Sequence, residues 1–193
     1  MLNKLSIFII ERLISADSIS KSDKELYTYG GFVFLSNLFY IIIAISFGLI
    51  FHCIIQILVF IIVLFFLRSY AGGYHANTEL RCEILTTIML FSTAIIIKLV
   101  KQNTSVWLLF LTFISVLIIL ILAPLTSSSK PLDDKLIKKN KKVTFFIVIS
   151  ISIIILICFI WHINIVLIPC CLSFIIESLS LVGGTIKGVI ISE

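Results

Sequence analysis

The chain has 193 residues, of which 60% are hydrophobic and only 13% charged, about half the charged fraction of an ordinary soluble domain. This excludes a soluble globular protein and leaves an integral membrane protein, because several charge-free runs each exceed the roughly 18 residues that cross a hydrocarbon core of about 30 Å as a helix. The formal net charge of +5 comes with no soluble domain or aromatic platform, so nucleic acid is not an expected partner.

The N-terminal stretch MLNKLSIFIIERLIS is interrupted by Lys4, Glu11 and Arg12 and is followed by no small-residue cleavage site, so it does not read as a signal peptide. Leu2, Leu5, Ile9 and Leu13 recur at helical spacing. Residues 1–24 are therefore expected to hold an amphipathic helix lying on the membrane surface; a partly disordered tail is the plainer alternative. From Leu26 to Leu67 no residue is charged, about twice what one span needs. Two spans folded back at GLIFHC are expected, at about 30–50 and 53–68. Further spans follow at about 84–100, 106–123, 143–161 and 163–182, the last two joined by a tight turn at HIN. Between them, residues 124–142 hold six lysines against Asp133 and Asp134 and are read as a basic loop. The expected fold is all-α, a single domain over 1–193 with about six transmembrane helices.

Six spans place both termini on one side. That side carries all of the fifteen Lys and Arg residues except Lys98 and Lys101, so the positive-inside rule makes it cytoplasmic. The expected location is the bacterial cytoplasmic membrane, with the termini, the basic loop and residues 68–83 facing the cytoplasm. The lysines are explained in the first place by topology and attraction to anionic lipid.

Chemistry is concentrated in RSYAGGYHANTELRC, residues 68–82. His75 and Cys82 are seven residues apart, which on an unbroken helix leaves them about 10 Å apart along the axis. The Gly72-Gly73 pair predicts a break instead, with Asn77 able to cap a new helix containing Cys82. His75 could then fold toward Cys82, and the positive end of the helix would favour charge building on the sulfur. Cys and imidazole together are the minimal apparatus for attack on an acyl carbon. The glycine backbone could approach a substrate closely or donate to an oxyanion. Arg68 could grip a substrate carboxylate or anchor the helix end among headgroups. By spacing alone one Cys and one His are a weak signal, and two ligands do not make a zinc site. Cys53, Cys158, Cys170 and Cys171 lie in or beside apolar runs and read as small buried hydrophobes.

The pattern R-x-x-x-G-G-x-H-x-x-x-x-x-x-C, formed by Arg68, Gly72, Gly73, His75 and Cys82, resembles the signature of the accessory gene regulator protein B (AgrB) family. LAPLTSSSKPL, Leu122 to Leu132, is similar to a second family element after the fourth span. YTYGG, Tyr27 to Gly31, resembles a third, with Phe32 where the family often has an acid. The resemblance implies a membrane cysteine endopeptidase that processes precursors of quorum-sensing peptides, with Cys82 as nucleophile and His75 as its base and proton donor. Arg68 and Gly73 match family positions important for activity. It implies a substrate with an amphipathic leader and an acidic C-terminal tail, held by the lipid bilayer and by this protein; no metal and no cofactor are expected. Lys138, Lys139, Lys141 and Lys142 are the expected attraction for that tail; processing that survives charge reversal of all four at low salt would sink the idea.

Two polar residues inside spans are candidates for orienting the pair: Glu177, which could also pair with Arg68, and Asn37. Interhelical hydrogen bonding is the plainer reading of both, as it is of Gln56. A homodimer would complete a substrate groove that one small subunit forms only in part. The competing reading of the chain is a small transporter or permease component in which Cys82 is incidental.

Overall fold

In lipid every backbone N–H and C=O must find its partner within its own segment, so a chain this apolar folds as helices. The computed structural model describes residues 2–16, 20–74, 78–100, 106–125 and 134–192, and among them there are seven α-helices and no strand. These are α1 (Leu2–Ser15), α2 (Lys24–Ile50), α3 (Ile54–Ala71), α4 (Glu79–Val100), α5 (Val106–Leu122), α6 (Asp134–Ile160) and α7 (Asn164–Ser192). Five of them, α2, α3, α4, α6 and α7, are long and apolar enough to cross a membrane; α5, where a sixth span is expected, is a shorter apolar helix of 17 residues.

The helix bounds differ from the apolar runs in a consistent direction. α2 begins at Lys24, α4 at Glu79 and α6 at Asp134, so residues 134–142 of the basic segment are helical rather than loop. Charge limits how far a helix can lie in hydrocarbon, but it does not end the hydrogen-bond ladder, and Lys and Glu are good helix formers. α7 likewise continues past residue 182 through Gly183 and Gly184 to Ser192.

Residues up to Ser46 form one compact unit and Phe47 onward a second. In the first, α1 lies against the start of α2. The Ser6 hydroxyl donates to the Thr28 carbonyl at 2.7 Å, and Gly31 permits the approach, since a Cβ there would come within 2.8 Å of Ser6 Oγ. Lys24 and Glu11 add an exposed ion pair at 2.9 Å. Leu5, Phe8, Ile9 and Leu13 of α1 remain exposed, as expected of a helix whose apolar side meets lipid.

In the second unit α7 is the central helix. It packs against α3, α5 and α6, while α4 touches α3 and α7 more sparsely. The core joins Leu67, Ile119, Val148, Leu167, Phe174 and Leu181 with the buried thiols of Cys158, Cys170 and Cys171. Interhelical hydrogen bonds supplement the dispersion contacts. Ser173 donates to the Phe60 carbonyl at 3.1 Å and Ser178 to Ser115 Oγ at 3.1 Å; such bonds contribute about 0.6 kcal/mol each on average within membranes.

The two tight reversals predicted at GLIFHC and HIN are both Schellman motifs. Cys53 N–H donates to the Gly48 carbonyl at 2.8 Å and His52 N–H to Leu49 at 3.2 Å; Ile163 N–H donates to Cys158 at 2.8 Å and His162 N–H to Phe159 at 3.3 Å. His52 and His162 occupy the left-handed position of each turn, with φ of 56° and 55°, a place where His is enriched among non-glycine residues.

Candidate active site

α3 ends at Ala71, and the next three residues are not helical. Gly72 (φ 82°) and Gly73 (φ 147°) both adopt backbone angles that L side chains rarely tolerate. Residues 68–82 therefore do not form one straight helix. A Cβ on Gly72 would come within 2.5 Å of the Leu125 carbonyl oxygen, and Leu125 N–H donates to the Ala71 carbonyl at 2.9 Å. Gly72 and Leu125, from two motifs more than fifty residues apart in sequence, thus meet at this break.

Side chains from distant elements hold the segment after the break. Arg68 donates from its guanidinium to the Tyr74 carbonyl at 2.9 Å, and Tyr74 N–H donates to Ser180 Oγ at 3.0 Å. Gly73 is required for this arrangement, because a Cβ there would stand 2.6 Å from Ser180 Oγ. Gly184 plays the same part on α7: a Cβ there would collide with Leu125 Cδ2 and reach 3.3 Å from Tyr74 N. Glu177, Ser180 and Gly184 recur at helical spacing along the side of α7 that faces residues 73–74.

The chain re-enters helix at Glu79. Thr78 Oγ1 accepts the Arg81 N–H at 3.4 Å, as an N-cap side chain does. Cys82 lies in the first turn of α4, with its N–H donating to the Thr78 carbonyl at 3.2 Å. Its partly exposed side chain lines a cavity of about 400 Å³ together with Arg68, Tyr74, Ser180 and an apolar wall that includes Leu85, Met89 and Leu179. His75 and Asn77 lie outside the described residues.

Glu177 is fully buried on α7, and neither carboxylate oxygen has a hydrogen-bond partner among the described residues. Its Oε1 lies 3.9 Å from where a Gly73 Cβ would be. Arg68 acts on it electrostatically without forming a direct ion pair. Asn37 is exposed on α2 and belongs to the first unit. Lys138, Lys139, Lys141 and Lys142 are exposed on the first turns of α6. Helical spacing aligns Lys135, Lys138, Lys139 and Lys142 and leaves Lys141 off that line. No cluster of metal-ligating side chains occurs among the described residues.

Among the cavity residues, Ser180, Tyr74 and Met89 are ones that the sequence alone does not single out. A serine in an apolar helix ordinarily signals an interhelical hydrogen bond. The available clue is that Ser180 lies between Glu177 and the Gly183-Gly184 pair on one helical side, a small and polar stripe in an otherwise bulky helix.

These features define a multi-pass helical membrane protein with a thiol-lined cavity at a glycine-made helix break. A family-wide sequence profile, Accessory gene regulator B, matches residues 6–181, and the chain belongs to that family. It is 27% identical over 172 residues to a putative AgrB-like protein of Clostridium perfringens (strain SM101 / Type A), covering 81% of this chain and 78% of that one. It is 31% identical over 129 residues to accessory gene regulator protein B of Staphylococcus lugdunensis, covering 66% of each. Protein FsrB of Enterococcus faecalis (strain ATCC 47077 / OG1RF) is 27% identical over 155 residues, covering 76% of this chain and 62% of the relative. No solved structure matches.

Proposed function

We propose that this protein is a membrane cysteine endopeptidase that cleaves a peptide precursor and promotes cyclisation of the released part into a thiolactone or lactone signal for quorum sensing. The observation that carries this reading is the shared cavity of Cys82 and Arg68 beside the Gly72-Gly73 break.

In this reading His75 takes the Cys82 proton and the sulfur attacks the carbonyl carbon of the scissile bond. The C–N bond breaks, the proton passes to the leaving amine, and an acyl thioester remains on Cys82. A thiol or hydroxyl within the acyl fragment then displaces the sulfur and closes the ring, and Cys82 recovers its proton. Water competes at this second step, so apolar walls such as Leu85, Met89 and Leu179 favour ring closure over hydrolysis. An amide is more stable than a thioester, so removal of the products must draw the reaction forward. Arg68 and the glycine backbone position the substrate, and Glu177 orients the polar groups around it. The positive-inside rule puts this chemistry on the cytoplasmic side of the bacterial cell membrane. Lys138, Lys139, Lys141 and Lys142 would meet an acidic precursor tail at that surface.

The test is co-expression with the cognate precursor. Cys82→Ala and His75→Ala are each expected to abolish cleavage while leaving the protein in the membrane. Cleavage that persists in Cys82→Ala would remove the peptidase reading and leave transport as the stronger account.

A further inference from the structure

Many hydroxyls on the apolar helices give their protons to the turn before them, although the buried Thr28, Ser36 and Thr144 hydroxyls have no partner among the described residues. Ser69, Ser92, Thr93, Thr112 and Ser115 each donate to the carbonyl four residues back, at 2.7–2.9 Å. This is the default where no water competes and the carbonyl is the nearest acceptor. Ser180 departs from it. Its oxygen accepts the Tyr74 N–H at 3.0 Å, and its own proton has no acceptor among the described residues. It lines the cavity that Cys82 lines, and the missing Cβ of Gly73 is what gives it room.

A hydroxyl has one proton to give and two lone pairs to fill. An accepted N–H bond polarises the O–H and strengthens the bond that it donates. The oxygen of Ser180 is therefore fixed and polarised, with its donor left for whatever enters the cavity.

We infer that Ser180 is a catalytic residue whose hydroxyl donates to the carbonyl oxygen of an acyl group as Cys82 attacks it. The inference rests on the reading of Cys82 as the nucleophile. In the step, the sulfur bonds to the carbonyl carbon and the π electron pair moves onto the oxygen, where the Ser180 proton stabilises the charge by a hydrogen bond. When the C=O re-forms, the leaving group departs with the electron pair of its bond to carbon and takes up the proton that left the thiol. Nothing is oxidised or reduced. The apolar wall of the cavity raises the value of that single donor, since charge developing there has little water to turn to. The same geometry assigns a second duty to Gly73: it keeps the Ser180 hydroxyl in place.

Two small probes separate this role from a structural one. N-acetyl-phenylalanine p-nitrophenyl ester acylates a thiol through an oxyanion; iodoacetamide alkylates it at a saturated carbon without one. The full-length protein in detergent is treated with each, and modification of Cys82 is followed by peptide mass spectrometry. Ser180→Ala is expected to slow acylation about 10²-fold while leaving the alkylation rate near that of the parent. Ser180→Thr, which keeps the hydroxyl, is expected to recover most of the acylation. Equal loss of both rates in Ser180→Ala, unchanged acylation, or a Ser180→Thr protein that behaves like Ser180→Ala would each overturn the inference. Absence of any Cys82 acylation in the parent protein would instead contradict the nucleophile reading beneath it.

Discussion

The reversals at residues 51–53 and 161–163 and the break at residues 72–74 interrupt the helices in opposite ways. Each hairpin turn bonds its own backbone through a Schellman motif and uses a histidine, not glycine, at the left-handed position. The break places two glycines at unusual angles and draws partners for Tyr74 from Arg68 on α3 and Ser180 on α7. A turn whose backbone bonds itself needs no polar side chain from another helix to hold it, even where a residue such as Phe51 packs on Phe91. A segment held by distant polar side chains concentrates them beside a cavity, which in a chain with 13% charged residues is where chemistry can be done.

The largest effect expected from breaking this contrast is at Gly73. Gly73→Ala puts a Cβ 2.6 Å from Ser180 Oγ at a φ of 147°, so it should lower precursor processing by about 10²-fold, the loss expected when one oxyanion donor is displaced. A comparison of processing by immunoblot with membrane levels of the protein checks it; near-parental processing would show that the Ser180 position does not matter.

A smaller effect is expected at partly buried Arg68 and buried Glu177. Arg68→Lys and Glu177→Gln should each reduce processing by roughly tenfold, about 1.4 kcal/mol. The double variant should lose less than the two combined, because both changes act on one electrostatic pair. Strict additivity would separate Glu177 from Arg68 and return it to a packing role.

The smallest effect is expected at the hairpins. His52→Gly and His162→Gly remove a side chain from left-handed backbone and should leave processing unchanged while raising stability by up to about 1 kcal/mol. Thermal unfolding in detergent reads the second outcome, and loss of processing in either variant would show that these turns are not merely structural.

Much of this architecture was legible in the residues. Charge-free runs gave the helices, GLIFHC and HIN the hairpins, and Gly72-Gly73 the break, because hydrocarbon and glycine constrain the backbone locally. The start of α6 at Asp134 and the reach of α7 to Ser192 were not legible, since hydropathy reports the width of the membrane and not the reach of the hydrogen-bond ladder. Of the site, Arg68, Cys82 and the glycines stood out as chemistry without another purpose. Ser180 and Leu125 did not, because their roles depend on α7 and the segment after α5 returning to residues 72–74, a long-range pairing that no local spacing encodes. Glu177 was visible as an acid within a span, but its unpartnered burial beside Gly73 belongs to the packed structure.

The central claim is that Cys82 carries an acyl group during turnover. Intact-protein mass spectrometry after brief mixing with the cognate precursor tests it most directly. The account predicts a hydroxylamine-sensitive adduct with the mass of the N-terminal precursor fragment, on Cys82 and absent in Cys82→Ala. Cleavage of the precursor with no such adduct at any time, or with the adduct on another residue, would contradict it.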